Sequence, residues 1–344
     1  MRFTDEFLFK TVRDFLNIYL PKQRGYSKNT VRSYRITLNL LFDYLTKLKC
    51  VSLCKLSFDD INRENVSAFL EWLHTERCCS PSTQNQRLMA IRSFMSYASG
   101  VNSEYVFHQI EISHIPMQKQ QGKIVEFLSE SALKALLEQP DQRTSIGLRN
   151  CCLMMLMYDT AARCQEVLDL KWKDFEFEAS SPYVRLTGKG SKVRTVPLMN
   201  KTVDTLKYYG KHFNNSLDFS EDSYVFYTVI HGKTCQMSPD TVASFMKKYG
   251  KAAKMICAEI PDKVHPHQLR HTRAIHLYRN GFPLALLAEF LGHTHMETTK
   301  VYAYADTEMK RNALLKAVPE NSIAPTPAVW ENDDEMIKRL YGLI

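Results

Sequence analysis

The sequence predicts a mainly α-helical protein with one small β-sheet: an all-helical N-terminal part, then a mixed α+β part. Three observations carry this expectation. Apolar residues recur at three- and four-residue spacing through residues 1–115. Two β-rich runs flank a glycine-containing turn at residues 183–198. A polar stretch with Pro116 and Gly122 separates the two kinds of pattern. The 344 residues suit two domains at about 100–200 residues each. The boundaries expected are 1–115, a linker at 116–124, a second domain at 125–316, and a tail at 317–344 carrying a short helix.

In the first part, Ser27 reads as an N-cap, followed by Val31, Tyr34, Leu38, Leu41, Phe42, Leu45 and Leu48 on one helical face. Val66, Phe69, Leu70 and Leu73 mark a second helix. Ser80-Pro81 is a cap with proline at the first helical position. The helix after it buries Leu88, Ile91, Phe94 and Met95, and its other face carries Gln84, Gln86, Arg87 and Arg92. In the second part, Ser129 caps a helix reaching residue 139, and another runs over 148–159. Residues 183–198 read as a β-hairpin with a basic turn, Gly188-Lys189-Gly190-Ser191-Lys192. Helices resume near Lys201, Pro239, Pro266, Pro283 and Thr298. A Pro-rich break at 324–327 precedes a short helix at 333–343, with Met336, Ile337, Leu340, Tyr341 and Leu343 as its apolar face.

Composition narrows the function classes. With 44% apolar and 24% charged residues, the chain is of the globular type. Forty-five Lys and Arg against 37 Asp and Glu give a net charge of +8. That surplus argues mildly for a polyanionic partner. Nine cysteines, an odd count with two adjacent pairs and no CxxC, suit neither a disulfide framework nor a zinc site. They read as reduced thiols in a cytoplasmic protein. The N-terminus lacks a signal-peptide core, and the longest apolar run, 151–158, is too short to span a bilayer.

Four segments carry chemistry. They are residues 160–167 with Arg163 and Glu166, the Gly188-Lys189-Gly190 turn, residues 265–271 with His267 and Arg270, and Leu291-Gly292-His293 with Tyr302 nine residues on. Arginine forks match phosphate oxygens. Histidines exchange protons near neutral pH. A lysine on a hairpin tip can reach a leaving oxygen, and a phenol can act as nucleophile. No DxD, HExxH or Walker pattern is present to hold a metal ion or nucleotide. The set suits cofactor-free, metal-free phosphoryl transfer to a tyrosine. Each signal alone is weak, since a helix arginine is usually solvated and a Gly-Lys-Gly tip is usually only a turn. Their joint occurrence in this order is specific.

These segments resemble the tyrosine recombinase (phage integrase) family. TAARCQEVLDLKWKDF resembles its first arginine motif, and GKGSKVRTVPL its catalytic hairpin. HPHQLRHTRAIHL resembles its His-x-x-Arg motif, and LAEFLGHTHMETTKVYAYA its Leu-Gly-His segment and nucleophile helix. The likeness covers about residues 125–310, with a looser helical match over 1–115. It implies that Arg163 and Arg270 clamp the scissile phosphate, that Tyr302 attacks phosphorus, and that Lys189 protonates the leaving 5′ oxygen. It further implies that His267 moves the proton on the tyrosine side, that His293 hydrogen-bonds the phosphate, and that Glu166 orients the set. Ala161-Ala162 stands where the family commonly has a glycine, and Cys164 and Gln165 depart from its apolar and small residues. His295 and Tyr304 nearly duplicate His293 and Tyr302. Spacing favours Tyr302, with Tyr304 the neighbouring candidate.

The N-terminal helices resemble the family's core-binding domain. They offer Lys28, Asn29, Arg32, Arg35, Thr83, Gln84, Gln86 and Arg87 for phosphate and base-edge contacts. The resemblance implies a clamp around double-stranded DNA, a homotetramer on paired sites, and a two-domain member close to Xer or small transposon-encoded enzymes. Accessory DNA-bending or directionality proteins are left open, as is docking of the tail helix in cis or on a neighbouring protomer. The expected activity is site-specific recombination through a 3′-phosphotyrosyl link and a Holliday junction, serving a mobile element or Xer-like dimer resolution. Type IB topoisomerase-like relaxation and a non-catalytic DNA-binding factor are the alternatives.

Overall fold

The computed structural model describes residues 6–119, 125–188, 190, 192–213, 221–305, 311 and 333–344. The chain divides into two units, Met1–Lys123 and Ile124–Ile344.

In the first unit, α1 (Glu6–Asp14) continues into a π-helical segment, Phe15–Gln23. Pro21 lies inside that segment. A proline has no amide to donate and crowds the preceding turn, which favours the wider winding. Serine and asparagine caps then set the helix starts. Ser27 accepts the Thr30 amide at α2 (Lys28–Lys49), Asn62 the Asn65 amide at α3 (Arg63–Thr75), and Ser80 the Thr83 amide at α4 (Pro81–Val101). The last helix is α5 (Val106–Ser113). Arg92 of α4 donates to the carbonyls of Ile112, Ser113 and Ile115, satisfying the open end of α5. The core is rich in rings: Phe58 stacks on Tyr105 at 4.0 Å between centroids, and Phe15 meets Phe94 edge-on at 5.4 Å. Asn85 clamps the chain beyond α5, donating to the Gln118 carbonyl and accepting its amide, both at 2.9 Å.

The second unit is organised around a buried helix. α6 (Glu130–Leu137) starts at Ser129, and α7 (Ser145–Thr160) follows, buried along nearly its whole length. A helix apolar on all sides belongs in a core. α8 (Cys164–Leu168) comes directly after it. The short strand β1 (Phe175–Glu176), β2 (Tyr183–Thr187) and β3 (Val193–Pro197) form an antiparallel sheet in that order. Val184, Leu186 and Val196 point inward at strand alternation. The hairpin closes with the Gly188 amide on the Lys192 carbonyl at 2.8 Å, and Gly190 takes the left-handed conformation. Lys189 and Ser191 lie outside the described residues.

α9 (Asn200–Phe213) packs on α7. A second sheet, β4 (Tyr227–Ile230) with β5 (Lys233–Gln236), has no counterpart in the sequence expectations. Its turn places His231 and Gly232 both at positive φ, the geometry of a two-residue hairpin turn. Histidine in the first position hides the usual Asn-Gly signal. α10 (Pro239–Lys254), α11 (Pro266–Arg279), α12 (Leu284–Leu291) and α13 (Glu297–Ala305) complete the unit's described body. α11 lies against α7, α12 and α13. The tail helix Asp334–Leu340 forms behind its Asp333 cap and has no buried residue.

Gly147 sits in the first turn of α7, where an added Cβ would strike the backbone of Asp141. Gly147→Ala should lower unfolding free energy by about 1–3 kcal/mol through overpacking. Urea denaturation of the two proteins checks this.

Candidate active site

Arg163, His267, Arg270, His293 and Tyr302 all line one cleft of about 980 Å³ in the second unit. Gly188 and Lys192, on either side of Lys189 in the chain, line it too.

Arg270 is the deepest charge, 2% exposed on α11. One guanidinium nitrogen donates to the Ala161 carbonyl and the other to that of Leu291, each at 2.7 Å. Burial, then the neighbouring Arg163, lowers its pKa to about 10. Ala161 adopts the left-handed conformation at the end of α7, φ 48°. A residue with Cβ pays about 1–2 kcal/mol there, which explains the glycine of the family pattern. Gly292 ends α12 in the same way, φ 65°, with the His293 amide on the Ala288 carbonyl at 2.9 Å. That closure turns His293 out of the helix. His293 Nδ1 meets Thr299 Oγ1 at 2.8 Å, leaving Nε2 as the other ring nitrogen. Burial, Arg270 and Arg163 push its pKa down to about 4.

Glu166 is almost fully buried, with one oxygen 2.7 Å from Arg163 Nη1. The other accepts from Arg194 Nη2 at 2.7 Å and from the Arg163 amide at 2.9 Å. Burial opposes ionisation, but these donors prevail and hold its pKa at about 2. Arg194, on β3, did not figure among the sequence candidates. Its signal lies across the hairpin, because only the fold brings it to Glu166 and against Gly292.

Tyr302 is 2% exposed and packs with Ala161, Ala274, Ile275, Leu287 and Leu291. Burial raises its pKa, while Arg270 and Arg163 act in the opposite direction. Its hydroxyl is 3.0 Å from His271 Nδ1. His271 was also missed as a candidate. Its signal was its position one helical turn after His267, on the same face. The side chain of Tyr304 lies outside the described residues. Among the described residues, no group of three or more His, Cys, Asp or Glu is placed to hold a metal ion, and no helix is long and apolar enough to cross a membrane.

Residues 126–309 match the phage integrase family, and residues 12–100 match its N-terminal SAM-like domain. The chain belongs to the phage integrase family. It is therefore a tyrosine recombinase, an enzyme that cleaves and rejoins DNA in site-specific recombination. It is 30% identical to a protein described as an integrase/recombinase from Sinorhizobium fredii, over 94% of this chain and 95% of that one. It is 28% identical to the tyrosine recombinase XerD of Staphylococcus epidermidis, over 90% and 98%. In fold it is similar to a XerH site-specific recombinase solved with its difH substrate, with TM-score 0.63, 21% identity, and 89% and 87% of the two chains covered.

The recombinase's N-terminal unit gathers four of the eight expected polar residues in one place. Asn29, Arg32, Gln86 and Arg87 line a shallow depression of about 280 Å³ with Ser33 and Ile36. Gln86 bonds Ser33 and Arg87 bonds Thr37, each at 3.0 Å, so α2 and α4 are pinned together there. Lys28 and Arg35 are exposed. Thr83 is half-buried, and its hydroxyl pairs with Ser80. Gln84 corrects the expectation. It is 4% exposed, and its amide donates to the Cys79 carbonyl at 2.9 Å and meets His74, so it faces into the domain.

Two outcomes test the site. The Glu166 carboxyl is held at about 2, below the usual 4.5, a depression worth about 3 kcal/mol in this buried position. That stability is present above the unfolded pKa and is lost as pH falls from about 4.5 towards 2. Wild type should therefore exceed Glu166→Gln in denaturant unfolding at pH 6, with the gap narrowing by pH 3. Gly292→Ala would strain a left-handed position and press on Arg194 at 3.2 Å. It should cost about 1–2 kcal/mol in thermal unfolding and slow DNA cleavage.

Proposed function

We propose that Tyr302 is the nucleophile and that Arg163, Glu166, Lys189, Arg270 and His293 divide the work as the sequence suggested. The carrying observation is the buried Tyr302 hydroxyl in the same cleft as Arg163, Arg270 and His293. A scissile phosphate seated between Arg163 and Arg270 takes hydrogen bonds on its non-bridging oxygens. Arg270 spends two of its five N–H groups on carbonyls, which fixes the guanidinium and leaves the others for phosphate. His293 Nε2 adds a further donor. Glu166 sets the Arg163 fork. Lys189, on the hairpin whose flanks line the cleft, protonates the leaving 5′ oxygen, and a histidine of α11 serves proton transfer on the tyrosine side, the role expected of His267 from the sequence. The product is a 3′-phosphotyrosyl link and a free 5′ hydroxyl. No cofactor takes part.

The DNA is double-stranded, held in part by Lys28, Asn29, Arg32, Arg35, Gln86 and Arg87. Gln86 and Arg87, pinned to Ser33 and Thr37 of α2, hold this face in place for such contacts. Two duplexes exchanged through a Holliday junction require four protomers, and the exposed apolar side of the tail helix suits docking on a neighbour. All nine cysteines are unpaired, in keeping with a cytoplasmic setting. The cellular role is integration and excision of a mobile element, with Xer-like dimer resolution as the close alternative.

A nicked suicide substrate carrying the target site tests the reading. Wild type should trap a covalent adduct. Tyr302→Phe should trap none while still binding DNA, and Arg270→Ala should lose about 10²–10³-fold in rate. An adduct retained in Tyr302→Phe overturns the nucleophile assignment. Plasmid relaxation without recombinant product overturns recombination in favour of single-duplex relaxation. Affinity should fall steeply with salt.

A further inference from the structure

We infer that His271, rather than His267, is the base that takes the proton of Tyr302 during DNA cleavage. This deepens the proposed function and rests on Tyr302 being the nucleophile.

His271 is the side chain in contact with the reacting oxygen. Its Nδ1 lies 3.0 Å from Tyr302 Oη, within direct proton-transfer reach. No hydrogen bond joins His267 to Tyr302 among the described residues. His267 instead stacks its ring on His271, with centroids 5.5 Å apart and planes 28° apart. One helical turn separates the two, so α11 presents Arg270 and both histidines to the cleft. The nearer ring addresses the nucleophile. The farther ring stands beside Arg163 and Arg270, where it addresses the phosphate.

The surroundings favour the acceptor form. Charged and titratable neighbours bear on His271 from several elements: His265, His267 and Arg270 on its own helix and cap, His293 from the turn after α12, and Tyr302 from α13. None of these is a carboxylate. Burial, with His267 and Arg270, keeps the ring unprotonated, its pKa lowered to about 4. A neutral imidazole with its Nδ1 lone pair towards the phenol can accept, whereas an imidazolium cannot. A bound phosphate places negative charge beside Arg163 and Arg270. That charge raises the basicity of His271 when substrate is in place.

The step balances. The Tyr302 Oη–H proton passes to His271 Nδ1 as Oη bonds to phosphorus. The P–O5′ bond breaks, and the 5′ oxygen leaves with a proton from Lys189. On rejoining, the incoming 5′ hydroxyl returns its proton to Lys189 as its oxygen bonds phosphorus. The phosphotyrosyl bond breaks, and His271 returns its proton to Tyr302.

The test compares His271→Gln and His267→Gln on two suicide substrates, one normal and one with a 5′-bridging sulfur. The sulfur leaves without protonation, so it relieves defects on the leaving-group side alone. His271→Gln should cleave about 10²–10⁴-fold more slowly on both substrates, with DNA affinity unchanged. His267→Gln should lose less, and added imidazole should restore part of the activity of His271→Ala. Cleavage by His271→Gln within about threefold of wild type overturns the inference. Repair of its defect by the sulfur substrate overturns it too. A defect that comes with lost DNA binding and no imidazole rescue assigns His271 to structure, and also overturns it. A wild type that forms no adduct overturns the proposed function itself, so the two failures are separable.

Discussion

The cleft of the second unit depends on one buried guanidinium. Arg270 reaches from α11 to the carbonyl that ends α7 and to the carbonyl that ends α12. Both carbonyls belong to helix termini, where an acceptor would otherwise lack a partner. One side chain thus joins the first arginine segment, the His-x-x-Arg helix and the Leu-Gly-His turn. The left-handed conformations of Ala161 and Gly292 aim these carbonyls and send Arg163 and His293 onward towards the cleft. A buried cation with neutral partners is costly unless an anion arrives. In the proposed function that anion is the scissile phosphate.

Much of this organisation was legible in the sequence because it is local. Ser27, Ser80, Ser129 and Pro266 mark helix starts with no tertiary information, and the hairpin at Gly188–Lys192 is a turn between alternating strands. The ordered set of arginines, histidines and tyrosine was likewise readable, since family spacing preserves it. What escaped has a common physical origin in non-local contact. Arg194 looks like any basic strand residue until β3 sets it on Glu166. His271 looks like a neighbour of Arg270 until α13 brings Tyr302 to it. The π-helical segment depends on Pro21 being tolerated by packing, and the β4–β5 turn on His231 accepting positive φ. Gln84 failed in the opposite direction. A polar residue on a mostly polar helix face was read as outward, but the Cys79 carbonyl and His74 claim it for the interior.

Electrostatics also connect the parts. The charges that bear on Arg270 are Arg163, Arg194, Glu166 and the Tyr302 phenol. With the histidines neutral, these three guanidinium groups outnumber the Glu166 carboxylate, and the Lys189 acid of the proposed reaction adds to that positive excess. A phosphodiester brings one negative charge in its ground state, and the pentacoordinate transition state concentrates two on its equatorial oxygens. In the proposed function this positive excess meets a transition state more negative than the bound diester, which is the condition for lowering the barrier rather than only tightening binding. Glu166 is central to this balance. It neutralises one charge of the set, and its two oxygens keep Arg163 and Arg194 from repelling each other apart. In the proposed step, the neutrality of His271 leaves its ring free to accept a proton from Tyr302 as the negative charge of the transition state develops.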